Sequence, residues 1–229
     1  VARSHIRVGT FEYAALQRDS KHSQSLLEYT VNRHFPELHS MPNLALAFLT
    51  HVVKTQAQLI THWMRVGFIH GVMNTDNVSI AGETIDYGPC AFMDEYDPNT
   101  VFSFIDKPGR YAFANQPDIA QWNIARLAES LLPLIDKDQN SAVGMATDVV
   151  SEFSKIYKKK WLSMMRSKLG LSAEQKDDIT LITDLLTWMQ EHSVDYTNTF
   201  LYLTYDDNQA GQAYENDEFK HWRNRWQQR

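Results

Sequence analysis

Along this chain apolar residues recur mostly at intervals of three and four, the pattern of helices with one buried face, and only briefly at intervals of two. Residues 23–35 predict a short helix that Pro36 ends. Pro42 opens a longer periodic run with Leu46, Leu49, Val53, Leu59 and Met64. Proline in its first turn and Gly67 just past its end predict one helix of about six or seven turns over residues 42–66. Pro117 opens another, whose Ile124, Leu127, Ala128, Leu131 and Ile135 follow the same rule, and Asp118 suits its positive N-terminal end. Further helices are expected over 141–169, stopped by Gly170, and over 173–192, 194–203 and 216–229.

Strand signals are confined to the alternating opening 1–11, the brief apolar segment 68–72 and residues 78–86, which read as a hairpin turning near Ala81 and Gly82. Between 89 and 115 the Pro, Gly, Asp and Asn content predicts an irregular connection. Its Phe92, Tyr96, Phe102, Phe104, Tyr111 and Phe113 are expected to be buried. The fold class is therefore mainly α with a small β region. No internal repeat and no low-complexity tract interrupts it.

Composition narrows the partners. Lys+Arg 22 against Asp+Glu 28 gives a formal net charge of -6, so no global positive field exists to hold a nucleic-acid backbone or an anionic membrane. No apolar run approaches the roughly 20 residues of a membrane span. The single cysteine, Cys90, excludes an internal disulfide and a thiolate cluster, fits a reducing compartment, and reads as a small buried hydrophobe. Lys158, Lys159, Lys160, Arg166 and Lys168 form one basic cluster, expected as the solvated face of an amphipathic helix. Because Val1 and not Met opens the chain, inside an alternating segment, a fragment of a longer protein is expected.

Chemistry concentrates in His70-Gly71-Val72-Met73-Asn74-Thr75-Asp76-Asn77, followed by Thr84-Ile85-Asp86-Tyr87-Gly88. Kinase-type phosphoryl transfer needs oxygen ligands that hold divalent metal on ATP, an Asn from the catalytic loop and an Asp from the next hairpin. In H-R-D-x-x-x-x-N, or its H-G-D variant, the base lies two residues after His and the metal-binding Asn seven after it. Counted from His70, the base position holds Val72, the metal position holds Asn77, and Asp86-Tyr87-Gly88 stands where D-F-G would stand. Valine accepts no proton, so Asp76 is the replacement candidate. Taken singly, an Asp-Asn pair is more often a turn or a cap, and D-Y-G is common in hairpins.

His70 is expected to orient the loop through a backbone hydrogen bond. His5 reads as a strand-packing or hydrogen-bonding residue, and His51 and His62 as surface or capping groups. The zinc-hydrolase, thiol-redox and serine-hydrolase motifs are all absent.

Residues 70–77 and 84–89, the run Gly109-Arg110-Tyr111-Ala112-Phe113-Ala114-Asn115-Gln116-Pro117 and the opening 1–11 closely resemble the selenoprotein O family, over most of residues 1–136. The resemblance implies the C-terminal lobe of a protein-kinase-like fold without the usual catalytic Asp. It implies ATP bound in an inverted orientation and AMP transferred to Ser, Thr or Tyr hydroxyls of proteins. UMP transfer with manganese is implied for some bacterial members. By the same resemblance Asp76 is the proton acceptor, Asn77 and Asp86 hold Mg²⁺ or Mn²⁺, Asp86 also lies near the nucleotide, and Arg7 binds the nucleotide.

A partner arginine would immediately precede Val1, and the glycine-rich loop and ion-paired Lys and Glu would lie further upstream. The family's C-terminal Cys or selenocysteine is absent. One lobe over 1–229 is expected, with the site in 1–136 and a helical part in 137–229. The location implied is the bacterial cytoplasm, or mitochondria for a eukaryotic parent. A phosphotransferase and a non-catalytic nucleotide-binding module are the competing readings. Val72 opposes the first, and the paired oxygen ligands oppose the second.

Overall fold

The computed structural model describes residues 2–17, 20–205 and 212–229. Its long helices are α3 (Leu44–Arg65), α4 (Gln116–Ile135) and α5 (Gln139–Lys168), and α3 packs most extensively against α5 and α4. Two shorter helices, α1 (Val8–Ala15) and α2 (Lys21–His34), cover one end of this core, with α1 laid on α4. At the other end are α6 (Asp178–Glu191), α7 (Tyr196–Tyr205) and α8 (Asp217–Gln228). The only sheet among the described residues is an antiparallel pair, β1 (Phe68–Ile69) and β2 (Ala91–Phe92), with Phe68 opposite Phe92 and Ile69 opposite Ala91.

The predicted α4 stripe is buried in full: Ile124, Leu127, Ala128, Leu131 and Ile135 all lie in the core. In α3 the predicted Leu49, Val53 and Met64 are buried, the face also runs through Phe48, Val52, Ala57 and Ile60, and Leu46 and Leu59 sit at its margin. The start of α3 is set by Asn43, not Pro42. Its Oδ1 accepts the Leu46 N–H at 3.0 Å and its Nδ2 donates to the Ile135 carbonyl at 2.9 Å, so one side chain caps α3 and ties it to the end of α4.

Several expectations are corrected. The opening is not one strand: Val1 lies outside the described residues, a short extended stretch ends at Arg7, and α1 begins at Val8. The alternation up to Ile6 is real, but a helical stripe of Val8, Phe11 and Ala14 takes over, because α1 can bury it against α4. His5 is exposed. α6 starts at Asp178 rather than 173, because Asp178 turns its carboxylate inward to two arginines.

The basic cluster is no single solvated face. Lys158 and Lys159 are exposed, but Lys160 reaches Gln58 and Arg166 pairs with Asp178 and Glu174. Lys168 places its Nζ over the rings of Phe200 at 3.8 Å and Tyr196 at 4.1 Å and donates to the Arg65 carbonyl. Of the aromatics between 89 and 115, Phe113 is buried and Tyr96 and Tyr111 are half-buried, whereas Phe92, Phe102 and Phe104 remain exposed. Cys90 is half-buried, its thiol directed at the Tyr87 carbonyl.

Candidate active site

β1 delivers the chain into the loop 70–77, and the hairpin 78–86 follows at once. The hairpin is reduced to a single antiparallel bridge, Val78 with Thr84. Its turn needs Gly82, which has a φ of 67° and where an added Cβ would collide with the Thr55 methyl on α3. The extended residues before α1 add a third strand-like segment, with Val8 N–H donating to the Val78 carbonyl and Ile80 N–H to the Ile6 carbonyl. α1 then lies on the loop itself. A Cβ on Gly9 would meet the Asp76 backbone nitrogen at 3.3 Å, a tight contact, so a larger residue there would push on the loop by a few tenths of an ångström.

His70 joins the two halves of the site, as the sequence led us to expect. It is buried, its Nε2 lies 2.8 Å from the Ile85 carbonyl, and its Nδ1 accepts the Val72 N–H at 3.4 Å. A carbonyl only accepts and an amide N–H only donates, so the ring is the neutral Nε2–H tautomer. Desolvation lowers its pKa further, against the pull of the Ile85 carbonyl and the Asp86 carboxylate. The clamp holds Val72, at the loop's turn, and Ile85, next to Asp86, against one ring.

Helix side chains hold the rest. Gln116, at the start of α4, accepts the His70 N–H at 3.0 Å and donates to the Phe68 carbonyl at 2.9 Å, satisfying backbone on either side of Ile69. Asn123 on α4 donates to the Met73 carbonyl at 2.9 Å. From α3, Gln56 donates to the Ser79 carbonyl at 2.7 Å and the Trp63 indole to Thr84 Oγ1 at 2.8 Å. None of these four was identified from the sequence. Their signal was present, since Gln56 and Asn123 interrupt the apolar stripes of α3 and α4, and a buried amide there requires a partner.

The predicted site residues fall around this frame. Asn77 donates its Nδ2 to the Val72 carbonyl at 3.1 Å, which leaves its Oδ1 as the atom available to a cation. The register that pairs Val78 with Thr84 brings Asn77 and Asp86 to the same end of the hairpin. Asp76 and Asp86 are exposed, and neither has an ion-pair partner among the described residues. Asp86 has a φ of 57°, a left-handed conformation that is uncommon outside glycine. Arg7 bridges Ser79, and its Nε is enclosed without a hydrogen-bond partner among the described residues.

An enclosed cationic donor suits an anionic ligand, and a free amide oxygen beside an exposed carboxylate suits a hard, partly hydrated cation. No three His, Cys, Asp or Glu side chains among the described residues form a metal cage, so such a cation would share its coordination with substrate oxygens. A groove of about 550 Å³ between α4 and α5 is mostly apolar and lined by Ala125, Leu132, Val143 and Val150, away from this loop.

A mainly helical scaffold thus presents an acidic loop-and-hairpin site whose shape is held by neutral side chains. A family model described as "Protein adenylyltransferase SelO" matches residues 1–229, and the chain belongs to this family. Relatives named "Protein nucleotidyltransferase YdiU" are similar over all 229 residues, at 54% identity in Nitrosococcus oceani, 53% in Alcanivorax borkumensis and 52% in Bacillus cytotoxicus. The match covers 100% of this chain but 46% of the first relative and 47% of the other two, so the chain spans about half their length.

Proposed function

We propose that this chain carries the catalytic loop of a nucleotidyltransferase that moves AMP from ATP to hydroxyl side chains of proteins. It would form the C-terminal lobe of a protein-kinase-like fold, with the site in residues 1–136 and a helical part in 137–229. The observation that carries the reading is the use of the Asn77 amide. With its nitrogen spent on the Val72 carbonyl, its oxygen is left for a cation at the end of the hairpin that bears Asp86.

In this reading Asn77 and Asp86 hold Mg²⁺ or Mn²⁺, which supplies charge neutralisation at the phosphates. Arg7 contributes its guanidinium to the nucleotide. Asp76 accepts the proton of the incoming hydroxyl as the oxygen bonds to the α-phosphorus and the bond to the β-phosphate oxygen breaks, releasing pyrophosphate. Val72 removes the carboxylate that a phosphotransferase would use at that place, and the family match supports nucleotidyl transfer. UMP as the transferred group with manganese is a variant of the same chemistry. The described residues contain no helix long and apolar enough to cross a membrane. A bacterial cytoplasmic setting belongs to this proposal and rests on the bacterial relatives named above.

Incubating the full-length protein that contains this chain with ATP labelled at the α- or the γ-phosphate tests the reading. Label should reach protein from the α position, and transfer from the γ position alone would refute it in favour of phosphotransfer. Asp76→Ala should cut α-label transfer by about 10²–10⁴-fold with nucleotide affinity nearly unchanged. Asp86→Ala should instead abolish the metal-dependent part of nucleotide binding in calorimetry. Val72→Asp should not confer robust γ-phosphate transfer.

A further inference from the structure

Beside the loop lies a cation that the reading above does not use. Residues 100–113 form a closed excursion whose ends meet where the Phe113 N–H donates to the Thr100 carbonyl at 3.1 Å. Within it the buried Asp106 accepts the N–H groups of Arg110 at 2.8 Å and Tyr111 at 2.7 Å, so its carboxylate is committed to the backbone. The turn fixes Tyr111, whose hydroxyl donates to Asn74 Oδ1 at 2.6 Å, two residues before Asp76. It also lays the exposed Arg110 guanidinium over the Trp122 ring, 4.7 Å from its centroid. Trp122 precedes Asn123, which holds the Met73 carbonyl. Arg110 is therefore the chain neighbour of one residue bonded to the catalytic loop, Tyr111, and rests on the chain neighbour of another, Asn123.

Arg126 approaches the same ring at 5.6 Å, but it is paired with Glu129. Arg110 has no carboxylate partner among the described residues, in a chain of formal net charge -6. A guanidinium pre-ordered on an indole face, with its hydrogen-bonding edge unspent, is a fork for a carboxylate. The same excursion exposes Phe104 at 90% and Ile105 at 79%, large apolar side chains left uncovered by the described residues. Exposed apolar side chains on the same excursion as an unpaired guanidinium fit a polypeptide better than a phosphate chain, which has no apolar part to bury.

We propose that Arg110, seated on Trp122, docks the acceptor polypeptide together with Phe104 and Ile105, recognising an acidic side chain near the hydroxyl to be modified. The proposal rests on the protein-modifying reading and names the substrate feature it selects. Arg110 is a positioning residue in it.

The test uses the full-length protein and two fluorescein-labelled peptides, one with Leu and Glu around a central Ser and one with Lys in place of each Glu. Binding is read by fluorescence anisotropy without turnover. The acidic peptide should bind about tenfold more tightly than its Lys counterpart, a preference that shrinks at about 0.5 M salt. Arg110→Ala should erase the preference, Arg110→Glu should reverse it, and Phe104→Ser with Ile105→Ser should weaken both peptides alike. Equal affinity for the two peptides in the unaltered protein would overturn the proposal, as would an Arg110→Ala variant that loses ATP affinity but keeps the preference. A protein that shows the preference yet transfers no α-label would leave this docking surface standing and refute the transfer reaction instead.

Discussion

Around the loop 70–77 the buried polar partners are neutral: the Gln56, Gln116 and Asn123 amides, the Trp63 indole and the uncharged ring of His70. At the junction of α5, α6 and α8 the opposite material is used. Asp178, at 0% exposure, receives Arg166 Nε and Arg229 Nε at 2.6 Å each and the Gln175 N–H at 2.9 Å. Arg229, with burial opposing and Gln175 and Arg166 assisting, holds its carboxyl well below the usual carboxylate range. The difference follows from what each region does. Arg7 apart, the side chains that hold the loop and hairpin carry no charge, so they set backbone shape and leave the field of the exposed Asp76 and Asp86 carboxylates unchanged. At the helix junction Asp178 is fully buried between two largely buried arginines, and Arg166 also pairs with the exposed Glu174, so opposite charges there offset one another.

The largest effect should come from breaking the ionic side of this contrast. Asp178→Asn leaves two arginines facing an uncharged group and should cost about 3–5 kcal/mol of stability in urea unfolding. A loss below about 1 kcal/mol would show that the lock adds little beyond packing. On the neutral side, Gln116→Leu keeps the volume but strands the His70 N–H and the Phe68 carbonyl, and should cost about 1–3 kcal/mol for each group left unpaired. Hydrogen exchange at the His70 amide should rise in that variant while amides of α6 stay protected. Uniform loss of protection would mean that the two regions unfold as one unit.

The smallest effect separates the regions by pH. Burial lowers the His70 pKa below 6.5, so the unfolded chain binds a proton that the folded one refuses. Stability is then full above pH 6.5 and falls as pH drops towards the folded value, by at most about 1.4 kcal/mol per unit. His34 and His51 are lowered by burial as well, so His70→Gln isolates the share of this residue and should flatten part of the slope. The Asp178 lock, whose carboxyl titrates far lower, should show no change in local exchange over the same range.

The helices were legible because their stripes are local, and α4 matched its stripe residue for residue. The clamp role of His70 was legible too, from its place before a loop that must be held. The opening failed because its alternation and the α1 stripe overlap at Val8, and only the presence of α4 decides between them. Lys168 and Arg166 failed because a sequence shows charge on a helix face but not which rings or carboxylates another helix brings to that face.

What the sequence determined alone was therefore periodic or contiguous: the order of the helices from α2 onward, the Gly82 turn, the loop with Asn77 and Asp76, and Asp86 one hairpin later. The tertiary structure decided what depends on residues distant in sequence meeting. It set His70 against Ile85, Gln116 and Asn123 under the loop, Gly9 against Asp76, and Arg110 on Trp122. The physical reason is that a buried polar group must find its partner wherever packing puts it, and packing is settled by the whole core at once.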